Sequence, residues 1–144
     1  MSADQNKSII RNLYEEILNK GQWELLEPII AEDYIGVGDQ KGPLAFAATV
    51  QGLRQGFPDI QWTVEDLVAE GDKVTVRWSW KGMHSNTFMG IPPTNKLLNN
   101  HAIAIYQLRD NQIIHAWLES DRLGFLQQVG MIPQDLRSLQ TSQK

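Results

Sequence analysis

The chain has no cysteine. That excludes disulfides, thiolate metal sites and cysteine nucleophiles together. Basic excess is missing too: 13 Lys and Arg stand against 17 Asp and Glu, for a net charge of −4. A general nucleic-acid binder would carry a basic face instead. Only three histidines occur, and they are scattered, which leaves a two-histidine site as the one metal reading still open. No apolar run approaches a membrane span, and the opening MSADQNKSII holds no stretch of signal-peptide length. The expectation is a soluble, cytoplasmic protein without nucleic-acid or membrane partners. Phosphate-loop and dinucleotide fingerprints are absent as well, since GVGDQKG (36–42) is too loose for either.

What is present is an ordinary soluble balance. Hydrophobic residues make up 42% and charged residues 21% of 144 positions, enough for one domain over 1–144 with a real core. Ile10, Leu13, Tyr14, Ile17 and Leu18 recur at helical spacing, with Ser8 in the N-cap place and Gly21 as the stop. Trp23, Leu25, Leu26 and Ile29 suggest a second, short helix. Pro43 opens a third, with Phe46, Val50, Leu53 and Phe57 on its apolar side and Pro58 ending it. From Ile60 the period changes to two. Trp62 and Val64 lead through a Gly71-Asp72 turn to Val74, Val76, Trp78 and Trp80, which share one strand face. Further strands follow over 97–109 and 112–120 around an Asp110-Asn111 turn, and a last helix over 123–129 stops at Gly130. Helices first and strands second predict an α+β fold, a four-stranded antiparallel sheet with helices on one face.

Within the last two strands, Ala102, Ala104, Tyr106, Ala116 and Leu118 share a face. Three alanines leave room there, and Tyr14 with Trp78 and Trp80 would wall a pocket for a hydrophobic small molecule. The competing reading has helix side chains filling that room. Ile103, Ile105, Ile113 and Trp117 are expected on the opposite face, and a homodimer through the sheet is the simplest cover for it.

FMGIPPTNK (88–96) interrupts the strands with adjacent prolines, which fix φ and cannot donate ladder hydrogen bonds. A connection this rigid either rims the cavity, ordering over a ligand at small entropic cost, or serves as a structural corner.

The runs HSNTFMGIPPTNK, AIAIYQLRDNQIIHAW and DRLGFLQQVG resemble the SnoaL-like polyketide cyclases of the nuclear-transport-factor-2-like superfamily. Asn86, Asn95, Asn111 and Gln112 depart from that family's pattern. The resemblance implies a curved sheet wrapped around N-terminal helices, a cone-shaped α+β barrel with an internal cavity. It also implies an intramolecular aldol closure of a polyketide ester, with no cofactor and no metal. Its acid/base aspartate and histidine fall at Leu118 and Ala104, neither of which can move a proton. His84, continuing the face of Trp78 and Trp80, is then the candidate acid/base group, with Asp121 beside the last helix as its companion. The structural alternatives are a histidine bonded to the proline loop and an aspartate capping the helix. Three functions stay open: a cofactor-free enzyme on a hydrophobic cyclic or polyketide-like carbonyl compound, a non-catalytic binding module, and an accessory subunit for a redox partner. Tyr14, Trp78, Trp80, Ala104, Tyr106 and Leu118 are the expected ligand contacts.

Overall fold

The computed structural model describes residues 2–36 and 41–141, so positions 37–40 of the GVGDQKG stretch lie outside the described residues. One sheet of five strands has the order β1–β5–β4–β3–β2. The strands are β1 Ile30–Ile35, β2 Gln61–Glu70, β3 Lys73–Met83, β4 Leu97–Arg109 and β5 Gln112–Ser120. From β2 onwards the chain is an antiparallel meander. Its last turn holds Asp110 and Asn111 at φ of 51° and 66°, the paired left-handed geometry that matches the twist of a two-residue hairpin.

The fifth strand corrects the expected count of four. Ile30, Ala31 and Tyr34 of β1 are buried while Glu32 and Asp33 are exposed, so no period of two marks it. β1 lies parallel on β5, with Ile30 opposite Ile113 and Ile35 opposite His115. The helix expected around Trp23 shrinks to one 3-10 turn, Trp23–Leu25, and the chain turns directly into β1. A second correction concerns Ile113. The β4–β5 register shifts between Gln107, opposite His115, and Leu108, opposite Ile113. The extra residue flips the alternation, and Ile113 is wholly buried instead of sharing the outer face of Ile103, Ile105 and Trp117.

Four helices complete the fold: α1 Ala3–Asn12, α2 Gly42–Gly56, α3 Arg122–Gln128 and α4 Arg137–Thr141. The N-cap of α1 is Ser2, not Ser8, in a reciprocal capping box with Gln5. α1 continues into a π turn, Leu13–Leu18, which buries Leu13, Tyr14, Ile17 and Leu18 together. These side chains pack on the inner sheet face, where Val74, Val76, Trp78, Ala104 and Tyr106 are buried.

The proline-rich connection is a corner. Phe88 and Ile91 exchange backbone hydrogen bonds of 3.0 and 2.8 Å around Met89 and Gly90, both at positive φ. Asn86 donates from its backbone to Gly56 O (3.3 Å) and from Nδ2 to Gln55 O (2.9 Å). The loop is thereby fastened to the end of α2, and Phe88 packs against Phe57 and Phe125.

This fastening makes one substitution act with opposite signs in the same helix. A Cβ on Gly56 would stand 2.7 Å from Phe88 Cβ, whereas one on Gly52 would meet nothing within 4 Å. Gly56→Ala is expected to cost about 1–3 kcal/mol by overpacking. Gly52→Ala should add about 0.5–1 kcal/mol through lost unfolded-state freedom. Urea unfolding of the two variants beside the parent checks both signs.

Candidate functional site

Short side chains on the inner sheet face determine where space remains. Across β4 and β5, Ala104 stands opposite Leu118 and Tyr106 opposite Ala116. The alanines reach only a methyl group toward α2, whose Phe46, Val50 and Leu53 close the other side. Between these layers lies a cavity of about 130 Å³, bounded also by Tyr14, Tyr34, Trp62 and Trp78. Every described residue lining it is uncharged. Among the described residues no cluster of His, Asp or Glu could hold a metal ion.

Polarity enters through three phenols, two indoles and the hydroxyl of Thr49, which donates to Ala45 O. Tyr14 Oη and Tyr106 Oη are hydrogen-bonded at 2.5 Å across 92 residues of chain. Burial pushes the Tyr106 hydroxyl up to about 12, the bond from Tyr14 drawing it back somewhat. Tyr14 is raised well above its ordinary value by burial first and by Tyr106 second. Tyr34 is raised as well, again by burial first and then by Tyr106. All three are therefore neutral donors near neutral pH, and none is a base. The Trp78 ring lies 5.8 Å from that of Tyr14. Its Nε1 is near enough to favour the Tyr14 phenolate weakly, yet it completes no hydrogen bond and is left buried without a partner. An unpaired buried N–H of this kind costs about 1–3 kcal/mol, a cost that the adjacent Tyr14 oxygen relieves in part.

Of the residues singled out from sequence, Tyr14, Trp78, Ala104, Tyr106 and Leu118 come together around this cavity. Trp80 shares their strand face but packs further along it, 4.8 Å from the ring of Phe57 and 6.4 Å from that of Phe125. His84 lies beyond Trp80, fully buried and stacked on Phe57 at 5.2 Å. Its Nδ1 accepts the backbone N–H of Thr94 (3.3 Å) and sits 3.0 Å from Thr94 Oγ1. Its other ring nitrogen, Nε2, is buried without a partner. His84 N also donates to Lys96 O, and His84 O accepts from Asn95 N. The histidine thus holds the proline loop and does not line the cavity. Asp121 caps α3, its Oδ1 accepting from Gly124 N at 2.9 Å. No residue of 84–96 lines the cavity either.

Tyr34, Trp62 and the α2 side chains are the site residues that the sequence pattern did not place. Trp62 was legible as an inward strand position, though not as a cavity wall. Tyr34 was hidden because β1 was not recognised.

The pattern of the SnoaL-like polyketide cyclase family matches residues 8–129. Among solved structures, IdmH from Streptomyces antibioticus, a candidate polyketide cyclase, is 32% identical; 88% of this chain and 99% of that one are covered, with a TM-score of 0.77. TsrD from Streptomyces laurentii is 22% identical over 92% and 99% of the two chains, with a TM-score of 0.84. AclR from Streptomyces galilaeus, a candidate hydroxylase, is 19% identical over 99% and 91%, with a TM-score of 0.83. At those last two identities the likeness is one of fold. Curated proteins give no sequence match.

The cavity makes an alkaline prediction. All three tyrosines of the chain ionise later in the folded state than the ordinary value of 10. Above pH 10 the unfolded chain therefore loses protons first. Stability present below that pH falls as pH rises toward the folded values, by about 1.4 kcal/mol per pH unit for each tyrosine. Ultraviolet titration should show no tyrosinate while the fold persists at pH 10, then its appearance together with unfolding. Tyr106→Phe should flatten the alkaline limb. Ordinary titration with the fold intact would mean that the phenols are solvated.

Proposed function

Because the chain belongs to the SnoaL-like polyketide cyclase family, we propose that its cavity binds a hydrophobic, polyketide-like carbonyl compound and activates it by hydrogen-bond donation. The observation that carries this reading is the buried Tyr14–Tyr106 pair beside an indole N–H without a partner, in an otherwise apolar enclosure. Two phenols joined by one hydrogen bond keep one O–H free. That O–H and the Trp78 N–H are donors suited to a carbonyl oxygen that gathers negative charge. Neutral phenols do not abstract a proton from an unactivated carbon. The substrate accordingly contributes its own acidity, as a carbon between two carbonyl groups does. The reaction proposed is a cofactor-free ring closure of intramolecular aldol type: the substrate binds as its enol, the enol carbon bonds to a second carbonyl carbon of the same molecule, and the enol O–H proton passes through the phenol pair to the new alkoxide oxygen, leaving both phenols neutral. His84 and Asp121 serve here as supports for the loop and for α3.

A second reading is favoured by Leu118 opposite Ala104. Two apolar side chains occupy the positions where the family resemblance expects its acid/base pair. In that reading the protein binds the same class of compound without turning it over, as a carrier or as an accessory to a redox partner. The two readings separate on one experiment, in which a polyketide-type 1,3-diketone ester is incubated with the protein and recovered for chromatography. A ring-closed isomer formed faster than in buffer supports catalysis. Unchanged ligand with measurable affinity selects the binding role. Tyr106→Phe should weaken binding or turnover about five- to thirtyfold, the worth of about 1–2 kcal/mol of hydrogen bonding. His84→Gln, which keeps an acceptor for Thr94, should leave both unchanged.

The assembly proposed is a homodimer through the outer sheet face. Val68, Thr75, Ile105 and Trp117 form one ladder row across four strands. Val68 and Trp117 are 65% and 44% exposed. The row Asp66–Arg77–Ile103–Glu119 flanks it on one side and Glu70–Lys73–Gln107–His115 on the other. An apolar stripe edged by both signs of charge suits a two-fold copy of itself. Trp117→Glu should convert a dimer to monomer in sedimentation equilibrium with helix and sheet content unchanged. A parent that sediments as a monomer at high concentration would end this proposal.

A further inference from the structure

The dimensions of the cavity carry a narrower conclusion about its ligand, one that rests on the carbonyl-binding reading above. Its volume is about 130 Å³, and an apolar enclosure of about 150 Å³ takes a single benzene ring. Three or four fused rings need several times that space. The walls that would have to yield are not loosely held. Tyr14 is tied to Tyr106 on the floor, and the end of α2 is held by Arg54 Nη1 on Leu18 O at 2.8 Å and by Asn86 on Gln55 O. Polar recognition is equally restricted. The side-chain donors among the described lining residues are the Tyr14–Tyr106 pair, Tyr34, Trp62 Nε1 and Trp78 Nε1, the Thr49 hydroxyl being given to Ala45 O, and no described lining side chain is charged.

We infer that the cavity takes a ligand portion no larger than one six-membered ring bearing an acceptor oxygen, such as a cyclic enone or an aryl ketone, and excludes fused polycyclic skeletons. The single ring fills the apolar space between Ala104 and Val50, and its oxygen receives the hydrogen bonds that the indole and phenols otherwise lack. A carboxylate on the buried ring is disfavoured, because the enclosure provides no cation to meet it.

Isothermal titration calorimetry of the unmodified protein with three probes tests this. Acetophenone is a one-ring ketone. α-Methylstyrene has the same shape with CH2 in place of the oxygen, and anthraquinone is a fused three-ring diketone. The expected result is that acetophenone binds about tenfold or more tighter than α-methylstyrene, the effect of one or two neutral hydrogen bonds, while anthraquinone does not bind. Tyr106→Phe should narrow the gap between the first two probes. Ala116→Leu should abolish acetophenone binding by filling the cavity, with circular dichroism confirming that the variant is folded. Binding of anthraquinone without acetophenone would overturn the size limit and leave the carbonyl-binding reading standing. Equal binding of acetophenone and α-methylstyrene would remove the acceptor-oxygen requirement and the carbonyl-binding reading with it, although the size limit would stand. Failure of all three probes would overturn both.

Discussion

The hydrogen bond between Tyr14 and Tyr106 is the contact on which the interior depends. It joins the π turn of the first helix to the centre of the sheet, and it lets two hydroxyl groups be buried that would each be costly to bury alone. Both rings lie between the π turn and the sheet, their centroids 6.4 Å apart. On the β5 side Tyr106 stands opposite Ala116, and the neighbouring pair is Ala104 with Leu118. Small residues beneath and a polar prop above leave room that a uniformly bulky core would have filled. The cavity and the phenol pair are two consequences of one packing decision.

That arrangement fixes what kind of chemistry the interior offers. A carboxylate and an imidazole would exchange protons with a ligand near neutral pH, whereas phenols held neutral by burial only donate hydrogen bonds. Among its described lining residues the cavity thus presents hydrogen-bond donors and no base. The one fully buried histidine is used elsewhere. His84 spends its acceptor nitrogen on Thr94 and its backbone on Asn95 and Lys96, which turns a chemically versatile side chain into a fastener for a loop.

Much of this was legible before any coordinates, for identifiable physical reasons. β4 and β5 follow from alternation between left-handed turn residues, and their inner alanines were readable as space because β4 keeps a period of two and β5 keeps it beyond its bulge. Pro43 and Pro58 bracketed α2 because proline is tolerated at a helix start and not beyond. Hidden features were those that break a period. The β4–β5 bulge sent Ile113 inward without a trace in composition. β1 has two neighbouring buried residues followed by two exposed ones, which matches neither strand nor helix, and Tyr34 was lost from the site along with it. The π turn was invisible because Ile10, Leu13, Tyr14, Ile17 and Leu18 fit an ordinary helix equally well. His84 illustrates a different limit. Alternation continued the face of Trp78 and Trp80 to it, and it is buried there, but whether a side chain on that face meets a cavity or a wall of phenylalanine depends on the neighbouring helix.

The parallel pairing of β1 with β5 carries a consequence for how the chain is made. Ile30 finds its sheet neighbour at Ile113, after three other strands and a helix have been synthesised. Until then β1 has no ladder partner, and the layers around the cavity have no closing strand. The β2–β3–β4 meander is built from pairings between strands adjacent in sequence, whereas the β1–β5 pairing spans most of the chain. Loop closure over that distance is slow relative to hairpin formation. The same pairing brings Tyr34 to the phenol pair, so the described cavity lining is complete only when β1 and β5 are both in the sheet.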